Sequence, residues 1–318
     1  MLKKILWKSV VIAGVVAALL LSYNNKTFSQ GAEEPAAKEE NIPTKEPLII
    51  KYLHLDANSA DKAFEQAAPL NIKLQKQDKA FPQGGGSIKA IKIRGFHNGE
   101  TIFFKLTWDD AVKNERVIKH EQFRDAVAMM FPLDLVTISP KTPFSPRMGD
   151  RGRPVNLWHW KADWEKELHL AGRFEHVEAE YINMFDDFHD NPNAVPVQND
   201  LYSSTQFISG GRAAGTLLAK PDRGRSVEDL NAIGFGTLTS QTHQDVKGKG
   251  NWAAGKWNVV IYRPLTTPDK NDVQFVPGMR TFFNVAVWNG AQGDTNGQKS
   301  ISIRWHPLTL ERVKYQQQ

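Results

Sequence analysis

Apolar and polar positions alternate with a period of two in several short runs between residues 48 and 310. This is the pattern of strands that bury one face. The run LIIKYLHLD opens the region at Leu48. Ile88, Ala90, Ile91 and Ile93 lead to Asn98-Gly99, and Ile102, Phe104 and Leu106 follow. Asn-Gly between two alternating runs predicts a hairpin, because both residues tolerate positive φ. Further strands are expected over residues 158–170, 173–181, 256–262, 282–288 and 300–310, while 123–131 suits either a short helix or a strand. From residue 186 to about 249 the alternation is lost among NPNAVP, SGGRAAG, KPDRGR and VKGKGN, all turn or loop signals. An irregular insertion of that length in a compact domain is usually functional, often as a contact surface. Short strands parted by turns, with few helical stripes, predict a mainly β chain. The expected fold is an antiparallel β-sandwich with a long irregular insertion and few short helices.

The ends follow different rules. Lys3, Lys4 and Lys8 precede an apolar run from Val10 to Leu21, and small residues follow at Thr27 and Ser29. Residues 1–31 therefore read as an export signal, with cleavage after Ser29 or Gly31. The competing reading, an uncleaved anchor, meets the objection that the run is shorter than the roughly 20 residues of a spanning helix. Residues 32–47, AEEPAAKEENIPTKEP, are charged and rich in Ala and Pro, the composition of a disordered linker. The folded domain is expected over 48–312, with the insertion at about 186–249 and a tail at 313–318.

Charge and cysteine content narrow the function. The formal charge of +5 falls to about +1 once the four lysines of residues 1–31 are removed, so the basic excess of a nucleic-acid binder is missing. The chain has no cysteine. Disulfides, iron–sulfur ligation, thiolate chemistry and covalent haem attachment through CxxCH are all excluded. There is no Gly-x-Ser-x-Gly, no His-Glu-x-x-His and no phosphate loop. Asp109 and Asp110 are adjacent on a strand and so point to opposite faces.

Residues 144–164, FSPRMGDRGRPVNLWHWKADW, differ from the rest. Pro146, Gly149, Gly152 and Pro154 set turns around a single Met148, and a strand dense in tryptophan follows. A soft side chain on a rigid loop beside Trp158 and Trp160 suits a pocket for something large, flat and apolar. It equally suits a methionine that fills a gap under a loop.

GRPVNLWHWKA resembles a segment of the haem-b-binding γ subunits of the type II dimethyl sulfoxide reductase family. Those subunits serve ethylbenzene dehydrogenase, dimethyl sulfide dehydrogenase, selenate and chlorate reductases, and nitrite/nitrate oxidoreductase. Four more blocks resemble the same family in the same order: IKIRGFHNGETIFFKLTWDD, FRDAVAMMFP, GKWNVVIYRPL and FFNVAVWNGAQGDTNGQKSIS. The resemblance implies a β-sandwich that holds one haem b at one end between the sheets, with iron ligated by one methionine and one lysine. Met148 stands where the family has its methionine. The family's lysine falls in a G-x-K-S-x-S element, which Gly297-Gln298-Lys299-Ser300-Ile301-Ser302 fits; Lys256 is the reserve. Strand alternation puts Asn156, Trp158 and Trp160 on one face, making them candidate pocket residues, with Asn156 a donor to a propionate.

The resemblance further implies an exported electron-transfer subunit, periplasmic or in an equivalent compartment, that is not itself an enzyme. Its partners would be an iron–sulfur β subunit and a molybdenum-cofactor α subunit, with an external cytochrome as electron partner and no membrane contact after signal cleavage. The lengths of leader and insertion look most like the nitrite/nitrate oxidoreductase members. Two rivals stand beside this: a carbohydrate-type β-sandwich binding module without haem, and a structural subunit that has lost its haem. Nine histidines offer no pair at metal-ligand spacing. Asp186, Asp187, His189 and Asp190 form a loose acidic candidate for a hard cation.

Overall fold

The computed structural model describes residues 43–54, 60–134, 144–150, 152–169, 216–219 and 223–313. The export signal, most of the linker, the expected strand at 173–181, the acidic cluster at 186–190 and nearly all of the tail lie outside the described residues. The described residues belong to one compact unit. Among the described residues no helix is long and apolar enough to cross a membrane.

Among the described residues fourteen strands carry the fold: β1 (Leu48–Tyr52), β2 (Leu70–Lys73), β3 (Gln75–Lys76), β4 (Ala90–His97), β5 (Thr101–Asp109), β6 (Ala126–Pro132), β7 (Val155–Lys161), β8 (Val227–Ala232), β9 (Thr239–Ser240), β10 (Lys247–Ala253), β11 (Lys256–Pro264), β12 (Arg280–Trp288), β13 (Ser300–Ile301) and β14 (His306–Leu310). Two short α-helices accompany them among the described residues, α1 (Ala60–Gln66) and α2 (Ala162–Leu168). The strands run in the order β10-β11-β5-β4-β1-β14-β12-β6-β7-β8-β9. β12 is the corner: Arg280–Phe283 pair with β14, and Asn284–Trp288 pair with β6. The sheet doubles over at that point, so that β5 and β11 pack on β6 and β7. Phe104 meets Phe131 and Trp158, and Trp257 meets Trp160. The expected sandwich is thus present, with one departure from antiparallel order: β1 pairs parallel with both β4 and β14.

The predicted hairpin is β4–β5, turning through Asn98, Gly99 and Glu100. Gly99 takes φ +99, and the Asn98 carboxamide accepts from the amides of Glu100 and Thr101. Residues 126–132 are strand. Two expectations fail. The strand expected at 158–170 ends at Lys161, where α2 begins. Asp163 and Glu165 lie in its first turn, where the helix dipole favours acids. Both also have partners. Asp163 pairs with Arg124 at 2.6 Å, and Glu165 accepts from the Trp160 indole and the Gly250 amide.

The second failure is the supposed loop at VKGKGN, which is strand β10. Its glycines are there for close approach. A Cβ at Gly250 would come within 2.1 Å of the Trp160 ring, and one at Gly248 within 2.5 Å of Val227. β8 likewise falls inside the stretch expected to be irregular. Gly250→Ala should therefore force the Trp160 indole out of its packing and cost roughly 1–3 kcal/mol, read as a lowered denaturation midpoint. An unchanged midpoint would show that β10 yields freely.

Candidate functional site

The face of β6 that turns toward the inter-sheet core carries Val127, Met129 and Phe131. Its other face carries Ala126 and Ala128, joined by Ala286 and Trp288 of β12. Alanines on adjacent strands leave a shallow, flat floor on the outer side of the sheet. A cavity of about 640 Å³ lies over this floor, within the roughly 300–1,000 Å³ that organic ligands occupy. Leu157 and His159 of β7 complete the floor. The cavity is on the outside of this sheet and not between the two layers, because the inter-sheet space is already filled by Trp158, Trp160, Phe131 and Trp257.

Met148 and Lys299 both line this cavity. Met148 reaches it from the loop between β6 and β7 and packs against the small apolar cluster that includes Met130, Leu157 and Trp305. Its φ is +68, a region that costs a residue with a Cβ about 1–2 kcal/mol. Neighbouring bonds hold it there. The Gly234 amide donates to the Met148 carbonyl at 2.8 Å, the Trp305 indole to Phe144 O at 2.8 Å, and Asp150 accepts from the Ser145 amide. Gly149 sits so close to Arg153 O and Ala232 O that a Cβ would meet them at 2.9 and 3.0 Å. A strained methionine fixed at a cavity wall is the kind of outlier that points to use.

Lys299 lies one residue before β13. The serines of its GQKSIS segment are anchors: Ser300 Oγ accepts from the Gly86 amide, and Ser302 Oγ bonds His306 Nε2 at 2.7 Å. Gly84-Gly85-Gly86 lies against the same segment, and a Cβ on Gly85 would be 2.2 Å from the Lys299 carbonyl carbon. Gln77, buried, ties the neighbouring turn together by donating to Ala80 O, Pro82 O and Gly297 O. The Lys299 amine stands 4.8 Å from the centre of the Trp288 ring. Burial pushes it down to about 8, which enlarges its neutral, donor-competent fraction at moderate pH.

The other candidates lie elsewhere. Asn156, Trp158 and Trp160 are fully buried on the inward face of β7, away from the cavity. Asn156 belongs to a buried polar network: its Nδ2 donates to Asp229 Oδ1 at 2.5 Å, and its Oδ1 accepts from the Trp158 indole and the Val273 amide. Arg263 joins the network 3.2 Å from Asp272. Burial and the charge of Asp272 push Asp229 up to about 8. Strand alternation grouped the three residues correctly but could not say which face met the cavity. Lys256 is an exposed cross-strand partner of Asp109. Asp110 is buried while Asp109 is exposed, as adjacent strand positions require. No group of three or more His, Asp or Glu suited to a metal occurs among the described residues.

Trp288, Ala128 and the glycine run 84–86 escaped the sequence reading, whereas alternation already turned His159 away from Trp158 and Trp160. GGG was a visible signal for close backbone approach; the alanines carried none.

A family model described as ethylbenzene dehydrogenase matches residues 61–300. A putative respiratory nitrate reductase haem subunit of Haloferax mediterranei is 22% identical over 246 residues, 77% of this chain, and the chain spans 65% of that relative's length. The chlorate reductase γ subunit of Ideonella dechloratans is 24% identical over 283 residues, covering 86% of this chain and 89% of its own. Among solved structures, a family 9 carbohydrate-binding module from Caldicellulosiruptor kristjanssonii aligns over 85% of this chain and 97% of its own at 8% identity and a TM-score of 0.39. A putative carbohydrate-binding protein from Bacteroides uniformis reaches 0.42 at 9% identity, over 84% and 99% of the two chains. Scores this low carry no argument about ligand. The family match spans most of the chain, and the chain belongs to the ethylbenzene dehydrogenase family.

Proposed function

We propose that this chain is an electron-transfer subunit that holds one non-covalent haem b, with Met148 and Lys299 as the axial ligands. The observation that carries the reading is that a thioether and an amine, some 150 positions apart in the chain, line one cavity over a flat alanine floor. The residues suit the group. A thioether is a soft donor that favours ferrous iron and raises the potential. The amine ligates only when neutral, and burial already moves it in that direction. A haem with both axial positions filled by protein supplies one-electron transfer and offers small molecules no open site. This chain's part is to fix both donors on braced loops, exclude water from the floor and present the open edge to partners.

The relatives named as haem and γ subunits of nitrate and chlorate reductases support a place in a molybdenum oxidoreductase complex. There the chain would relay electrons between an iron–sulfur β subunit beside the molybdenum α subunit and an external cytochrome, as in a nitrite/nitrate oxidoreductase. The leader supports export to the periplasm or its equivalent. Catalysis belongs to the α subunit in this reading.

The absorption spectrum of the purified or haem-reconstituted chain is the test. A Soret band with sharp reduced α and β bands is expected; a colourless protein that takes up no haem would sink the proposal and favour the carbohydrate-type module. Met148→Ala should lower the haem potential, measured by redox titration, because the soft donor is gone while the amine remains. A potential equal to wild type would remove Met148 from the iron.

A further inference from the structure

His159 lines the cavity with a polar group that the axial pair does not use. It stands on β7 opposite Ala128 of β6, on the face that lines the cavity. Its ring stacks on Trp288 with centroids 4.6 Å apart and an interplanar angle of 28°, which fixes its plane. Its Nε2 is nevertheless buried without a hydrogen-bond partner. Such a nitrogen is costly and rare in a finished fold. Glu228, across the strand pair on β8, does not satisfy it; that carboxylate is committed to Lys161 and Ser240. Arg124, which also lines the cavity, and Lys161 are the cations that act on the imidazole, and Lys299 adds to them only while its amine is protonated. The missing partner is therefore an acceptor, and an anionic one suits the local field.

We infer that His159 donates from Nε2 to a carboxylate at the edge of the bound porphyrin, with Arg124 beside it, so that this pair sets which way round the porphyrin enters. This rests on the haem reading above and adds a recognition residue to it. An iron-ligand role for His159 is the alternative, disfavoured because the same cations would oppose further positive charge at that nitrogen.

The test titrates the full haem-free chain with iron protoporphyrin IX and with its dimethyl ester, in which both carboxylates are capped. Wild type, His159→Leu and His159→Gln are compared by Soret absorbance and tryptophan quenching, with melting temperature as the folding control. His159→Leu should weaken protoporphyrin binding roughly 10- to 100-fold, the worth of one hydrogen bond to a charged group. The same variant should bind the ester as wild type does. His159→Gln should recover most of the loss, and every variant should keep its low-spin spectrum. Equal loss for both porphyrins would assign His159 to packing against Trp288. No loss for either would exclude contact, and a high-spin spectrum would make it an iron ligand; each overturns the inference. If wild type binds neither porphyrin, the haem reading itself fails.

Discussion

Lys299→Ala should leave the haem-loaded chain folded, convert its low-spin spectrum to one with an open coordination position, and let carbon monoxide bind the reduced iron. The expectation follows from how Lys299 is held. Its backbone is fixed by contacts that do not involve its own side chain: Ser300 Oγ accepts from the Gly86 amide, the Gln77 amide donates to Lys299 O, and Gly85 lies against the carbonyl. Truncation to alanine therefore removes the amine and little else. The half-buried side chain brings only its amine over the Trp288 ring, so the loss of stability should stay within about 1 kcal/mol, typical of a partly exposed position. Lys256→Ala is the control. That lysine is exposed and paired with Asp109, and surface pairs of this kind contribute at most about 1 kcal/mol, so its variant should keep the wild-type spectrum and exclude carbon monoxide. If Lys256→Ala opens the iron and Lys299→Ala does not, the two lysines exchange roles. If neither does, the amine ligand comes from elsewhere or is absent.

How much of this could be read from the residues depended on what each signal encodes. Alternation located β4, β5, β11 and β12 because each buries one face against the other layer, and a period of two records that directly. It could not locate the end of β7. The continuation ADWEKEL keeps apolar residues at spacings that suit either strand or helix, and only the partners of Asp163 and Glu165 settle the matter. β10 was hidden for another reason: KGKGN looks like a turn unless one knows that Trp160 lies on Gly250. At the site, the methionine was visible as a lone residue in a rigid loop. The lysine came only through family resemblance, since nothing local separates Lys299 from a surface lysine. The floor was not legible at all. Ala126, Ala128 and Ala286 become a surface for a planar group only once β6 and β12 are paired in register at Ala128 and Ala286.

Trp158→Ala should produce the largest loss of stability and separate a core tryptophan from a cavity tryptophan. Trp158 is fully buried between the layers, with ring centroids 4.8 Å from Phe131 and 5.9 Å from both Phe104 and Phe275. The Arg263 guanidinium lies 4.9 Å from its centre, and its indole donates to Asn156. Removing it leaves a cavity that the surrounding rings cannot close, worth about 3–5 kcal/mol out of the roughly 5–15 kcal/mol that hold a domain together. Arg263 and Asn156 also lose a partner each, which pushes the cost toward the upper end. Trp288 differs: one side of its ring takes His159, and Lys299 lies near its centre. Trp288→Ala should cost less stability, because its outer surroundings are cavity and not packed protein, yet it should weaken haem retention strongly by removing part of the floor. Denaturant midpoints and haem dissociation rates for the two variants give the comparison. The outcome that contradicts this assignment is Trp158→Ala shedding haem while its midpoint stays near wild type. Trp158 would then touch the cofactor, and the cavity outside β6 would not be where the cofactor binds.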